Sequence, residues 1–149
     1  MTRSEFGAWL PRRLAAYAGL IAASGAMPAG AARDRAERDI GHGFSHGCGT
    51  SGQLLFRLVT AHAAVGWLWL AVPGPGPDPL MAWVYDIEIE RAFRGRGYGR
   101  AAMRLAEQEA RSRGMTSLGL NVHGQNTTAR SLYDSLGYQV TELQMKKPV

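Results

Sequence analysis

The sequence predicts an α/β domain in which a mixed β-sheet carries helices on both faces. Three observations lead to this prediction: the chain opens with two amphipathic helical stretches, continues with three β-rich runs, and then alternates helix and strand between glycine stops. At 149 residues and 46% hydrophobic content, it is long enough to bury a core of its own. We therefore predict a single domain over residues 1–149.

Two helices make up the opening segment, residues 1–50. The first covers residues 4–23, and Thr2 and Glu5 have the spacing of a capping box at its start. The residues that recur every three or four positions, and so form one apolar face, are Phe6, Leu10, Leu14, Tyr17 and Ile21. The second helix starts near Pro28, because proline suits the first turn of a helix.

Three strands follow this helical segment. Residues 54–59 and 64–72 are β-rich runs joined by a short turn, which is the pattern of a hairpin. Residues 73–79 alternate proline and glycine, so they are predicted to form a loop. That loop leads into a strand over residues 80–89.

Helix and strand alternate in the last third of the chain. A helix over residues 100–113 ends at Gly114. Its predicted buried stripe consists of Met103, Leu105, Ala106 and Ala110. A short strand over residues 118–122, a helix over residues 127–135 and a last strand over residues 138–145 complete the predicted order.

Composition argues against several classes of function. The chain has 17 Lys and Arg against 12 Asp and Glu, but the positive charges are scattered, so neither a nucleic-acid-binding tract nor a membrane partner is predicted. The single Cys48 excludes an internal disulfide. His42 and His46 lie close to Cys48 in sequence, but no fourth ligand follows at a recognisable spacing, so no metal is predicted.

An export signal is the alternative interpretation of the first helix. Arg12 and Arg13 precede the apolar run over residues 14–23, and small residues follow at positions 24–26. A cleaved leader needs neither the polar face nor the capping box of this stretch. A cytoplasmic protein is therefore the prediction.

A segment rich in glycine and arginine separates the third predicted strand from the third helix. Its residues are Arg94, Gly95, Arg96, Gly97, Tyr98, Gly99 and Arg100. Because the first amides of a helix lack intrahelical acceptors, a bend that leads into a helix can direct several N–H groups at one phosphate. Glycine permits close approach, and arginine adds donors that suit phosphate oxygens. We interpret the segment as a pyrophosphate-binding cradle, with an ordinary basic turn as the alternative.

Two familiar phosphate motifs fail at this position. A dinucleotide-binding fold requires an acidic residue about 20 residues after the glycines, but Asn121, Val122 and His123 occupy that place. A triphosphate-binding loop requires a lysine directly after its last glycine, whereas Arg100 follows Gly99 here.

A second motif downstream favours another assignment. It reads N-x-x-A-x-x-L-Y-x-x-x-G-Y and consists of Asn126, Ala129, Leu132, Tyr133, Gly137 and Tyr138. Together with Arg94, Gly97 and Gly99, which match the hallmark R/Q-x-x-G-x-G/A, it resembles the GNAT superfamily of acetyl-CoA-dependent N-acyltransferases. The resemblance spans residues 54–145, which we predict to be the cofactor-binding core.

The resemblance implies specific roles at these positions. Acetyl-CoA would be the co-substrate, held by the cradle over residues 94–100. Tyr133 would lie near the CoA sulfur and protonate the departing thiolate, and Asn126 would contact the pantetheine arm. The backbone around Ile87 and Ile89 resembles the family's strand segment that hydrogen-bonds pantetheine and polarises the acyl carbonyl.

The resemblance also refines the predicted architecture. It implies a mostly antiparallel central sheet, with residues 1–50 on the acceptor side. Relative to the usual order of the family, the chain begins at the first helix and stops soon after residues 138–145. A first strand and a last hairpin partner are then either missing or supplied by a second subunit, which allows a homodimer.

The strand over residues 80–89 provides a candidate base. Period-two alternation places Trp83, Tyr85, Ile87 and Ile89 on one face and Asp86, Glu88 and Glu90 on the other. If the acidic row faces the acceptor, Glu88 could accept the ammonium proton directly or through water, and Asp86 could hold a cation. In one arrangement of the family, the strand after the cradle helix supplies a glutamate as the base. This chain departs from it, because Asn121 occupies the matching position. His123, two residues on, is a second candidate base.

The predicted function is transfer of an acetyl group from acetyl-CoA to a primary amine by direct attack in a ternary complex. The acceptor is a small-molecule or peptide amine, and no metal takes part. Two alternatives stay open, namely a transferase for a longer acyl group and a non-catalytic module that senses CoA.

Overall fold

The computed structural model describes residues 1–23, 27–145 and 147. Its helices and strands, in chain order, are α1 (Arg3–Ala23), α2 (Ala29–Gly41), β1 (Gln53–Val59), β2 (Ala64–Ala71), β3 (Met81–Ile89), α3 (Tyr98–Ser112), β4 (Ser117–Leu120) and α4 (Thr127–Ser135). Short 3-10 turns cover His42–Phe44, Gly47–Gly49 and Arg91–Phe93. The structure confirms the predicted helices, the hairpin and the third strand. Their observed ends lie within two residues of the predicted ends.

The four strands form one sheet in the order β1-β2-β3-β4. β1 pairs with β2 and β2 with β3 in antiparallel fashion, whereas β3 pairs with β4 in parallel. The predicted mixed, mostly antiparallel sheet is therefore confirmed. The parallel pair is the one connected through α3, as a crossover between parallel strands requires.

Two hydrophobic cores lie on opposite faces of this sheet. One is mainly aliphatic and joins β2 and β3 to α3, with Leu70 and Met103 fully buried at its centre. The other is aromatic and joins α1 and α2 to β1 and β2, through Phe6, Trp9 and Trp69. Helices thus cover both faces, as the sequence predicted.

The start of α1 is fixed by side chains as well as by packing. The Thr2 hydroxyl accepts a hydrogen bond from the Glu5 amide at 3.2 Å, and the Glu5 carboxylate accepts one from the Thr2 amide at 2.8 Å, which confirms the capping box. Arg57 of β1 also donates to Glu5. These donors favour the ionised carboxylate, so they lower the pKa of Glu5 to about 2.

Two predictions near the C-terminus are wrong. Residues 138–145 form no strand, and Val140, Leu143 and Met145 are between 72% and 85% exposed. A strand requires a hydrogen-bonding neighbour, and in the described part of the chain β4 pairs only with β3. β4 itself ends at Leu120, so Asn121, Val122 and His123 belong to the following loop.

Two further properties concern the described residues as a whole. None of their helices combines the length and apolarity needed to cross a membrane. No group of three or more His, Cys, Asp and Glu side chains among them could hold a metal ion. The small residues at positions 24–26, which suggested an export signal, lie outside the described residues.

Candidate active site

A β-bulge in β3 determines which of its side chains lie on the face toward α1 and α2. Trp69 of β2 pairs with Asp86 and Leu70 pairs with Val84, so Tyr85 is an extra residue without a partner. The extra residue shifts the alternation of side chains between the two faces of the sheet by one position. The predicted grouping of Trp83 and Tyr85 with Ile87 and Ile89 is therefore wrong.

The side chains around the bulge show the new arrangement. Tyr85 stacks on Trp69 with ring centroids 4.5 Å apart, which places it toward α1 and α2. Ile87 packs on the opposite side, in the aliphatic core. Asp86 and Glu88 pair with Trp69 and Trp67 and share the aromatic side with Tyr85.

Asp86 is half-buried, with a side chain 12% exposed, and it is already paired. Its Oδ2 lies 2.9 Å from Arg13 Nε of α1, in an ion pair whose N–H does not point at the oxygen, and it accepts a hydrogen bond from Trp67 Nε1 at 2.9 Å. Burial raises the pKa of Asp86, while Arg13 and Trp67 oppose that change. Asp86 therefore connects α1 to the sheet, and the cation beside it is Arg13 rather than the acceptor cation that we predicted.

Glu88 lies closer to solvent than Asp86. Its side chain is 39% exposed, and its Oε1 lies 3.7 Å from Arg94 Nη2. Burial and the neighbouring Asp86 raise the pKa of Glu88, whereas Arg94 and Arg13 lower it. The net upward change makes this carboxylate a stronger base than an ordinary glutamate, as general base catalysis near neutral pH requires.

The predicted cradle lies between β3 and α3. Gly95 and Gly97 have φ of +74° and +81°, a left-handed conformation that favours glycine. In the described residues, none of the backbone amides from Gly95 to Arg100 has a hydrogen-bond acceptor in the protein. A row of unpaired donors at the start of a 15-residue helix suits an anion with several oxygens.

The arginines of the cradle have different partners. Arg94 donates from Nε to the Ile89 carbonyl at 2.8 Å, which fixes the turn after β3. Arg96 lies over the Phe93 ring, 5.9 Å from its centroid, with its charge free to meet an anion. Arg100 donates to the Ser135 hydroxyl at 2.7 Å and so connects α3 to α4.

β3 and β4 separate next to the cradle. Their pairing runs only from Met81 with Ser117 to Val84 with Leu120. Beyond this point the edge of β3 that faces away from β2, including Ile87 and Ile89, has no strand partner among the described residues. An open backbone edge of this kind can hydrogen-bond an extended, amide-containing ligand.

Tyr133 lies on α4 and is 8% exposed in the aliphatic core. It also lines an open groove of about 1500 Å³ beside β4, and no protein acceptor meets its hydroxyl in the described part of the chain. Burial and, secondarily, the charge of Asp86 raise the pKa of Tyr133. The phenol therefore keeps its proton at neutral pH, as a general acid must before it donates.

Two further candidates lie in or near the loop between β4 and α4. Asn126 is the N-cap of α4, and its Oδ1 accepts a hydrogen bond from the Ala129 amide at 3.2 Å. His123 is exposed in this loop and lines the same groove as Tyr133. Because β4 ends before Asn121, strand alternation does not assign His123 to a face of the sheet, and its role as a second candidate base stays a prediction.

With this geometry in place, comparison with known proteins decides the family. The model of the acetyltransferase (GNAT) family matches residues 31–138, most of the chain. The chain belongs to this family. The open strand edge, the cradle and α4 are thus the parts of a GNAT fold, and the predicted fold is confirmed.

Two relatives from Bacillus subtilis resemble this GNAT protein in sequence. YycN, described as an uncharacterized N-acetyltransferase, is 40% identical over 83 residues, which are 56% of this chain and 53% of YycN. That alignment spans about half the length of the relative. YdgE, also described as an uncharacterized N-acetyltransferase, is 29% identical over 148 residues, which are 99% of this chain and 94% of YdgE.

Solved structures extend the comparison. The crystal structure of YycN, described as a putative acetyltransferase, matches at a TM-score of 0.90 and 30% identity, over 100% of this chain and 95% of that chain. An aminoglycoside N-acetyltransferase in complex with CoA matches at a TM-score of 0.56 and 16% identity, over 67% of this chain and 78% of that chain. The second likeness concerns the GNAT fold alone.

Sequence reasoning missed the residues that connect α1 to the site. The sequence associates Arg13 only with the alternative export signal, and it assigns neither Trp67 nor Tyr17 a role near Asp86. One local signal existed, because Arg13 lies three residues after Leu10 and four before Tyr17, at the border of the apolar face of α1. A long charged residue at such a border often has a partner on the sheet below.

Proposed function

We propose that this protein transfers an acetyl group from acetyl-CoA to a primary amine of a small-molecule or peptide acceptor. The row of unpaired amides from Gly95 to Arg100 supports this proposal most strongly. It continues into the open edge of β3 around Ile87 and Ile89, so one extended ligand with a pyrophosphate at one end could occupy both. When bound, acetyl-CoA supplies the activated acyl group.

The chain's own residues then divide the proton transfers between them. Glu88 accepts the proton of the acceptor ammonium, directly or through water, because its pKa is raised and its side chain is partly exposed. Tyr133 donates its phenol proton to the departing thiolate. Backbone donors of β3 polarise the acyl carbonyl, which makes this contribution insensitive to side chains.

The first experiment is an acetyl-CoA-dependent assay of free thiol across a panel of primary amines, together with calorimetry of CoA binding. We expect CoA binding and thiol release above the no-amine control with at least one amine. CoA binding without thiol release would favour a sensing role over catalysis. Comparison of acetyl-CoA with longer acyl-CoAs tests whether the acyl group is acetyl.

Tyr133→Phe tests the general acid. We expect kcat to fall by about 10²- to 10⁴-fold while CoA affinity is unchanged, because only the phenol proton is removed. Tyr138→Phe is the matched control, since its ring lies 5.8 Å from that of Tyr133 and its hydroxyl faces Glu107. Equal kcat values for both variants would refute the role of Tyr133.

A homodimer and a cytoplasmic location stay predictions. The groove beside β4 is also lined by residues 138–145, in which Leu143 is 73% exposed. If a second subunit covers this segment, sedimentation velocity will give about twice the chain mass, and Leu143→Asp will shift the protein toward monomer. A monomer at every concentration would contradict the dimer.

A further inference from the structure

Arg13 is the cation that α1 brings to the acceptor side of the sheet. Its side chain is 14% exposed, and its Nε lies 2.9 Å from Asp86 Oδ2. The guanidinium also lies over the ring of Tyr17, 5.6 Å from the centroid. An arginine held between a carboxylate and an aromatic ring has lost most of its side-chain freedom before any ligand arrives.

Residues of α2 hold this arrangement in place. The Tyr17 hydroxyl donates to Asp39 Oδ2 at 3.2 Å, and Arg35 Nε donates to both oxygens of Asp39 at 2.7 and 2.8 Å. The position of Arg13 is therefore determined by α1, α2 and β3 together.

Most of the donors of Arg13 remain available. A guanidinium has five N–H groups, and Nε is the nitrogen that lies beside Asp86. In the part of the chain that the structure describes, neither Nη atom has a protein acceptor. Paired Nη donors match the two oxygens of a carboxylate in a planar, bidentate contact.

The charges near Glu88 favour an acceptor that carries both signs. Asp86 contacts Arg13 and Trp67 at 2.9 Å and its side chain is only 12% exposed, whereas Glu88 is 39% exposed and lies 3.7 Å from Arg94, so Glu88 is the more accessible carboxylate for an ammonium group. Arg13 is close enough to Glu88 to lower its pKa. A cationic polyamine would place additional positive charge near Arg13, whereas a zwitterion would place a carboxylate there.

On the basis of the proposed acetyl transfer, we propose that Arg13 binds a carboxylate of the acceptor. The acceptor is then an amino acid or a short peptide that bears a free amine and a free carboxylate. Glu88 receives the amine end, and the Nη atoms of Arg13 receive the carboxylate end.

The test compares acceptors that differ only in this carboxylate. Thiol release is measured for amino acids and their carboxamides, namely glycine with glycinamide, β-alanine with β-alaninamide and L-lysine with L-lysinamide. We expect kcat/KM to favour the acid member of at least one pair by about 10- to 100-fold, the range of a charge-assisted bidentate contact. A ratio near one, or a preference for the amide, in every pair would overturn the proposal.

Arg13→Gln should reduce this ratio to near one. The adjacent Arg12→Gln is the matched control, because Arg12 is exposed and has no ion pair in the described residues, and it should keep the wild-type ratio. Arg13→Gln leaves Asp86 buried without its cation, so the double variant Arg13→Gln/Asp86→Asn is measured beside it. An unchanged ratio in whichever of these variants folds would overturn the proposal.

A binding measurement separates this inference from the proposed function. N-acetylated amino acids carry the carboxylate but no reactive amine, so their effect on Tm in the presence of CoA does not depend on catalysis. We expect N-acetyl acids to raise Tm more than N-acetyl amides, and we expect the difference to vanish in Arg13→Gln/Asp86→Asn. Thiol release without this difference would refute the role of Arg13 alone, whereas the difference without thiol release would refute only the transfer reaction.

Discussion

The two faces of the sheet are built from different chemistry. Toward α3, β2 and β3 present aliphatic side chains such as Leu70 and Val84, and the polar groups at the end of this layer are backbone amides of the cradle. Toward α1 and α2, the same strands present Trp69, stacked on Tyr85, and the half-buried Asp86, paired with Arg13.

This difference separates a constant part of the molecule from an adaptable part. The positions of backbone amides depend on φ and ψ, so if the cradle binds phosphate groups as proposed, that binding depends mainly on the glycines. The face toward α1 and α2 carries particular side chains from three elements, so if the acceptor binds there as proposed, single substitutions will change what it binds. The predictions below test that division.

The largest effect is expected on the acceptor side, at Glu88. Glu88→Gln should lower kcat/KM by about 10²- to 10⁴-fold, because an amide cannot accept the proton of the ammonium group. In the wild type, kcat/KM should fall as the pH decreases through the raised pKa of Glu88, since only the ionised carboxylate is a base. A pH–rate profile of both proteins shows whether the variant has lost this decrease of kcat/KM at low pH.

Glu90→Gln is the control for this change. Glu90 is the next alternate residue beyond Glu88, is exposed, and forms no ion pair in the described part of the chain. The proton-acceptor role of Glu88 is refuted if the two variants have the same kcat/KM. It is also refuted if kcat/KM of Glu88→Gln still falls at low pH as in the wild type.

A smaller effect is expected on the cofactor side, at Gly97. Its φ of +81° strains any side chain, and Gly97→Val must rearrange the bend that orients the cradle amides. We expect CoA affinity to fall by about 100-fold, which corresponds to the loss of two charge-assisted hydrogen bonds. Calorimetry of CoA binding measures the change.

Gly114→Val is a close control, because Gly114 has the same φ of +81° at the opposite end of α3. Neither position has atoms within 4 Å of an added Cβ, so both substitutions carry the same kind of backbone strain. Similar losses of CoA affinity in both variants would mean that stability, not the cradle, explains the effect.

The fold could be predicted where local periodicity decides the structure. The apolar face of α1 and the stripe of α3 are local patterns, and both helices lie where predicted, although Leu105 of the predicted stripe is 56% exposed and Ala102 is buried instead. The strand over residues 138–145 could not be excluded from sequence, because a strand exists only beside a partner. The bulge at Tyr85 was also hidden, since the polar and apolar alternation continues through it and only the register with β2 reveals the extra residue.

The same reasoning explains what could be predicted of the site. Glycine-dependent features have local signatures, so the positive φ angles of Gly95 and Gly97 agree with the bend inferred from sequence. The contact of Arg13 with Asp86 joins residues far apart in the chain, and neither residue has a motif. Asp86 could therefore be recognised as acidic but not as already paired with a cation.

The smallest effect is expected far from both ligand sites, at the start of α1. The folded pKa of Glu5, about 2, lies below its ordinary value of 4.5, so its contribution to stability is fully present above pH 4.5 and is lost as the pH falls toward 2. Glu5→Gln should therefore lower Tm by a few degrees at pH 7, and the gap to the wild type should narrow below pH 4.5. Calorimetric melting of both proteins between pH 7 and pH 2 measures this gap.

Glu37→Gln is the control. It removes an exposed pair with Arg33 on α2 and should show little change in Tm at any pH. A gap that stays constant with pH would show that the capping box acts through hydrogen bonding alone, without the charge of Glu5.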